Sequence, residues 1–298
     1  MPDDPIGAVK QDLLVRHLET WIPYALHRSR RATFAQAFAG ADAGVADAAL
    51  RVFTRFTGQL RGGRLSVLVL TTQADDLAVR LGEVQAELPP EVTVYPVSGG
   101  LDRLPVALRA AGAVGAPLLA YLDVGSGPVP ADAILAAPTR GRPAEVLLAL
   151  DGPAGPDAQP APGQRGLREA CGLPLVAEVE VVAGTAPRRS GLLLFATSAG
   201  RRLEAFKDAL WAVDEGTGVG YRDPAEPDRP LALVRHPDRE PLRRMLLARL
   251  AQQGPATVTE LRLFTTTRTV YRAADANRVL TDLLAAGQVS REPADGRL

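Results

Sequence analysis

The amino-acid sequence predicts an α/β fold: a doubly wound, mostly parallel seven-stranded sheet, followed by a small helical tail. Three observations predict it. Short, almost wholly apolar runs recur as far as Thr197, the pattern of strands buried on both faces. Stretches with helical periodicity separate them, which is the alternation of a parallel sheet. The last two runs follow one another with no helix between, so the sheet should end in an antiparallel hairpin.

The elements follow in order. Residues 9–28 read as an amphipathic helix, with Leu13, Leu14, Leu18, Trp21, Ile22 and Leu26 near one face and Pro23 marking a kink or its last regular turn. Ala32–Phe38, Leu65–Leu70, Val92–Val97, Pro117–Leu122 and Ala144–Leu150 read as strands. The stretches 44–58, 75–88, 101–114 and 130–137 supply the helices between them. Residues 151–175 are rich in Pro, Gly and Ala and read as a loop. Strands are expected at 176–183 and 191–197, then a helix at Arg201–Val213 whose buried stripe is Leu203, Phe206, Leu210 and Val213.

A proline-rich break at Asp223–Pro230 opens the tail, giving a main domain at 1–222, a linker at 223–240 and a small domain at 241–298. Pro241–Gln253 reads as a helix closed by Gly254-Pro255. Thr257-Val-Thr-Glu260 is a capping-box signature opening a second helix. Ala273–Ala286 is a third, with Gly287 as its C′ residue, and Gln288–Arg291 reads as a short strand. Three small helices and a strand predict a winged helix-turn-helix.

Composition narrows the function. The formal net charge is zero, so no long-range field points to nucleic acid or membrane. Residues 241–298 nonetheless hold nine arginines against five acids, a net +4 that leaves −4 for the remainder. The single cysteine, Cys171, excludes an internal disulfide or a cysteine-rich metal site. His17, His27 and His236 are scattered and read as surface or helix-face residues, so no metal is expected. With no apolar leader and no run long enough to span a bilayer, a cytoplasmic location is expected and a membrane is not.

Among 34 basic residues only Lys10 and Lys207 are lysines. Lysine is a compact point charge and arginine a planar fork, so such scarcity marks positions where an ammonium is specifically needed. The other reading is that two lysines escaped a drift toward arginine. Lys207 lies in the run Phe195-Ala-Thr-Ser198 … Lys207-Asp-Ala-Leu-Trp211 … Asp214. That run, the spacing Lys10 … Leu14 … Leu18 … Trp21-Ile-Pro23, Phe38-Ala39-Gly40, and Leu122-Asp123 followed by Gly125 together resemble the three-Cys-motif partner protein family. The resemblance extends from Lys10 to Gln288. It implies a class I S-adenosylmethionine (SAM) methyltransferase-like fold with a C-terminal winged helix, and a protein partner bearing a three-cysteine motif.

A SAM site in such a fold draws on a glycine-rich turn after the first strand, an acid after the second and a polar group after the fourth. The resemblance places Phe38, Gly40, Asp42, Gly44 and Thr71 at the cofactor. Asp42 stands where the family pattern has a second glycine, and Gln36 where it has an acid. The second strand ends in Leu70-Thr71-Thr72-Gln73 rather than an acid, unless Asp42 or Asp75 reaches the ribose instead. Each lost charge-assisted hydrogen bond weakens binding by about 1.5–3 kcal/mol, so the loops read as a degenerate SAM site. Asp123 is the candidate catalytic residue; equally, it caps the turn that follows it.

On the Arg201–Val213 helix, Lys207 and Trp211 are i,i+4 neighbours. With Lys10 and Asp214 they form the candidate partner-binding surface. The competing reading packs Trp211 on the sheet, with Lys207 paired to Glu204 or Asp214. In the tail, Arg268, Arg272, Asn277 and Arg278 surround the start of the third helix and are the candidate nucleic-acid contacts. The leading expectation is an accessory protein with a degenerate methyltransferase-like domain that docks a protein partner, near nucleic acid. The alternatives are an active SAM-dependent methyltransferase and a DNA-binding regulator.

Overall fold

The computed structural model describes residues 4–39, 43–72, 74–152, 166–183, 189–213, 219–222, 230–231 and 238–292. Helix α1 runs over Pro5–Arg28. It starts before the apolar periodicity does, because Pro5 suits the first helical position, where no amide hydrogen is needed. Pro23 does not end it.

Five parallel strands follow: β1 (Arg31–Phe38), β2 (Arg64–Thr71), β3 (Val92–Ser98), β4 (Leu118–Gly125) and β5 (Ala144–Asp151). The helices between them are α2 (Ala43–Thr54), α3 (Thr57–Leu60), α4 (Ala74–Glu87), α5 (Leu104–Ala110) and α6 (Ala131–Arg140). The single helix expected over 44–58 is therefore two. α7 (Leu167–Ala170) falls in the stretch expected to be loop. β6 (Leu175–Ala183) and β7 (Arg189–Thr197) form the expected antiparallel hairpin.

Among the described residues the sheet has nine strands rather than seven, in the order β3-β2-β1-β4-β5-β7-β6-β8-β9. The two additions, β8 (Val219–Arg222) and β9 (Pro230–Leu231), extend the antiparallel side. They are four and two residues long, too short to announce themselves by alternation. β9 lies inside the segment expected to be a linker.

β1, β2, β4 and β5 are buried nearly end to end, as parallel strands covered on both faces must be. β3 is the edge strand and is only half covered. One apolar cluster joins α1, α2 and α8 (Gly200–Trp211) to one face; a second packs α5 and α6 on the other.

The tail forms α9 (Glu240–Gln253), α10 (Val258–Arg268) and α11 (Ala273–Ala285). The capping box is present: Glu260 N–H donates to Thr257 Oγ1, and Thr257 N–H to Glu260 Oε2. Gly287 takes φ +66 past α11, as a C′ residue should. No strand follows: the described residues 286–292 are turn and coil. The expected wing strand is thus absent among them. Leu242, Leu246, Leu261, Tyr271, Val279 and Leu283 belong to the same apolar cluster as α1 and the sheet.

Candidate functional site

Open parallel sheets bind ligands at the carboxyl ends of their strands. Here that edge is built by the tips of β1, β4 and β5, with the N-terminal half of α1 laid across it. At the tip of β4 the strand register shifts between Asp123 and Gly125, and Gly125 takes φ +61. That conformation suits glycine because it has no Cβ. The turn brings the Gly125 N–H to 3.3 Å from Asp123 Oδ1. Tyr121 donates its hydroxyl to Asp123 Oδ2 at 3.2 Å. Lys10 donates to both Asp123 oxygens at 3.2 Å and to Asp151 Oδ1, at the tip of β5, at 2.7 Å.

Burial alone would lower the Lys10 pKa, but Asp123 and Asp151 outweigh it and hold the group above its ordinary value. Lys10 is a fixed cation. Asp123, 8% exposed, accepts four contacts from three groups, the Lys10 ammonium, the Tyr121 hydroxyl and the Gly125 amide, so its lone-pair directions are already occupied. Of the two roles expected for it, the turn-capping contact is present, and an ion pair with Lys10 is added to it. Asp151 differs. Its side chain is half exposed, and only Oδ1 is engaged by Lys10.

Of the expected cofactor residues, Phe38 is buried, its ring 5.9 Å from that of Tyr121. Thr71 is buried at the tip of β2, and Gly44 is exposed in the first turn of α2. Gly40 and Asp42 lie outside the described residues, as do Gln73 and the side chain of Asp75. Gln36, fully buried on β1 beside Tyr121 in the register, has no hydrogen-bond partner among the described residues for either amide atom. It is a spare donor and acceptor beneath the β1–β4 edge. SAM needs more than that. The described tip of β2 presents threonines in place of a carboxylate for the ribose, and the acid of β4 is already committed to Lys10. The described residues fit SAM poorly. Among them no group of three His, Cys, Asp or Glu side chains is placed to hold a metal.

The expected partner-binding surface is corrected too. Lys10, Lys207 and Trp211 are all buried; Asp214 lies outside the described residues. Lys207 Nζ donates to the backbone carbonyls of Thr265, Thr269 and Tyr271, at 3.1, 2.5 and 2.7 Å. Trp211 Nε1–H donates to the carbonyl of Val270 at 3.1 Å. Glu204, expected to pair with Lys207, pairs with Arg262 instead. The helix that reads as an interface is the joint between the sheet and the tail. Its physical reason is the C-terminus of α10, whose carbonyls have no helical partner and meet a point charge.

The nucleic-acid candidates divide. Arg268 and Arg278 are exposed, and Asn277 is half-buried. Arg272 is held by Asp275 and lies over the Trp211 ring, 5.0 Å from its centroid.

His17 is not a surface residue. It is fully buried beneath α1, where its Nε2–H donates to Glu145 Oε2 at 2.8 Å. Arg202 Nε donates to Glu145 Oε1 at 2.8 Å, and Arg202 also reaches Thr20. Burial first, then the charge of Arg202, pushes His17 below its ordinary value; Glu145 opposes them but does not win. Burial would raise Glu145, but His17 and Arg202 together hold it low. At neutral pH the pair is therefore neutral imidazole and carboxylate, leaving His17 Nδ1 without a partner among the described residues. Glu145 announced itself: an acid inside an apolar strand must find a buried cation. Asp151 was signalled only by its place directly after a strand, and sequence reasoning missed both.

No family model matches the chain, and no curated protein does. The three-Cys-motif resemblance therefore rests on the residues that carry it. Among solved structures, an rRNA methylase from Streptococcus thermophilus is similar at 12% identity over 67% of this chain and 99% of its own, with a TM-score of 0.35. Spermidine synthase from Thermotoga maritima is similar at 10% identity over 64% of this chain and 62% of its own, with a TM-score of 0.36. The fold rests on the strand order: five parallel strands with β7 inserted antiparallel between β5 and β6. No helix of the described residues is long and apolar enough to cross a membrane.

Proposed function

We propose that this chain is an accessory protein built on a methyltransferase-like domain, docking a protein partner rather than transferring a methyl group through Asp123. One observation carries the reading. The carboxylate at the tip of β4 is saturated by Lys10, Tyr121 and the Gly125 amide, so it has nothing left with which to activate an acceptor. The threonines at the tip of β2 support it, and the family resemblance supplies the kind of partner.

Calorimetry of the full-length protein with SAM and S-adenosylhomocysteine is the test. The expected result is no binding by folded protein. Methylation of a defined acceptor that is lost in Asp123→Asn would overturn the reading. The unpartnered Gln36 amide favours a second reading, in which the domain binds SAM and transfers its methyl group. That reading predicts cofactor binding that weakens in Gln36→Leu.

A further inference from the structure

Asp275, in the first turn of α11, is fully buried, and three guanidiniums from three places in the chain roof it over. Arg272 Nε lies 3.0 Å from its Oδ2 and Nη2 3.3 Å from its Oδ1. Arg239, just before α9, brings Nε to 3.6 Å, and Arg278 brings Nη1 to 3.7 Å. The three side chains are 21%, 28% and 54% exposed, so the roof has an outer face. Asp208 on α8 is the other carboxylate sensed by Arg272; burial pushes it up, Arg272 pulls it down, and Glu204 and Asp275 add to the rise. Three cations against Asp275 and an ionised Asp208 leave +1, and +2 when Asp208 is protonated. Among these five groups the sum is positive in either state; Glu240, beside Arg239, is paired with Arg243.

Such a cluster is more than a structural ion pair. One carboxylate needs one bidentate partner, and Arg272 already provides it. Arg239 and Arg278 are redundant for Asp275. Arg239 Nε, itself buried, is an ion-pair neighbour of that carboxylate yet makes no hydrogen bond among the described residues. Asp275 below and Trp211 beside hold the Arg272 fork in place before any ligand arrives. Forks of fixed orientation and surplus charge match the tetrahedral oxygens of phosphate. Exposed Arg268 at the end of α10 and Arg244 on α9 continue the positive character of the tail.

We infer that Arg239, Arg272 and Arg278 form a phosphate-recognition surface that docks the backbone of a nucleic acid. Asp275 and Trp211 act as positioning residues beneath it. The same chemistry would also hold a free phosphate, and one experiment distinguishes the two. Full-length protein is titrated with a short labelled oligonucleotide, read by anisotropy at several salt concentrations. In parallel, inorganic phosphate and polyglutamate are titrated and read by the emission of Trp211, the other tryptophan, Trp21, being sealed in the core.

The expected result is oligonucleotide binding that weakens steeply with salt. Arg239→Gln with Arg278→Gln should lower affinity about ten-fold and flatten the log–log salt slope by about one per lost contact. Circular dichroism confirms the fold of the double variant, and Arg109→Gln on α5 serves as the distant control. Three results would each overturn the inference: no oligonucleotide binding at low salt, affinity unchanged in the double variant, or a response to phosphate or polyglutamate alone.

Discussion

Replacing Lys10 by methionine leaves Asp123 buried with its countercharge gone, and such removal costs about 3–5 kcal/mol. Because Asp151 is half exposed and can rehydrate, the lower end, about 3 kcal/mol, is expected from urea denaturation. Lys10→Met combined with Asp123→Asn should recover part of that loss, since the two groups answer to each other. The Lys10 pKa is raised on folding, so its contribution is complete below 10.5 and fades only as pH climbs through the higher folded value. The acid side belongs to His17 and Glu145. Both are lowered on folding, so both contribute at neutral pH and lose that contribution as pH falls, His17 from 6.5 and Glu145 from 4.5 downward. Urea midpoints should therefore drop between pH 7 and pH 5, and less so in His17→Gln. Equal drops in the two proteins would remove His17 from the account. The scarcity of lysine did point to both positions where a compact cation is caged. It could not say that the cages are internal, because the acceptors of Lys10 lie 113 and 141 residues away.

At the scale of elements, α8 and the end of α10 are joined by one ammonium and one indole. Lys207→Met takes the ammonium from three carbonyls, of which that of Thr265 keeps the Thr269 hydroxyl; with charged hydrogen bonds near 1.5–3 kcal/mol each, a loss of about 3–5 kcal/mol is expected. Lys207→Arg should destabilise as well, because a planar fork does not converge on three carbonyls as a point charge does. Red-shifted Trp211 emission together with faster proteolysis between α8 and α10 would locate the damage at this joint. An unchanged emission spectrum in Lys207→Met would refute the joint. The periodicity of Arg201–Val213 identified the buried stripe correctly. It missed Lys207 and Trp211 because those side chains are buried by the tail, not by the sheet, and a helical wheel shows only one such face. The wing strand failed for a related reason: Gln288–Arg291 is too short for alternation to separate a strand from extended coil.

Across the whole molecule, the tail is packed into the same apolar cluster as α1 and the sheet. A chain ending at residue 237 would expose Trp211 and strand the Lys207 ammonium. It should be purified only as an aggregate or as a dye-binding, loosely packed species; a monomer with a sharp unfolding transition would show that the sheet domain stands alone.

The alternation of apolar runs with helical periods determined the layers, the parallel strands and the closing hairpin by itself, since strands buried on both faces and amphipathic helices leave a direct mark on residue order. The capping box and the C′ glycine were legible for the same reason, being local hydrogen-bonding chemistry. Only the tertiary structure decided that Asp123 is bound to Lys10, that His17 is sealed against Glu145, and that Lys207 faces inward. Each of those outcomes depends on which distant groups share a small volume, and in that volume desolvation makes partnership compulsory.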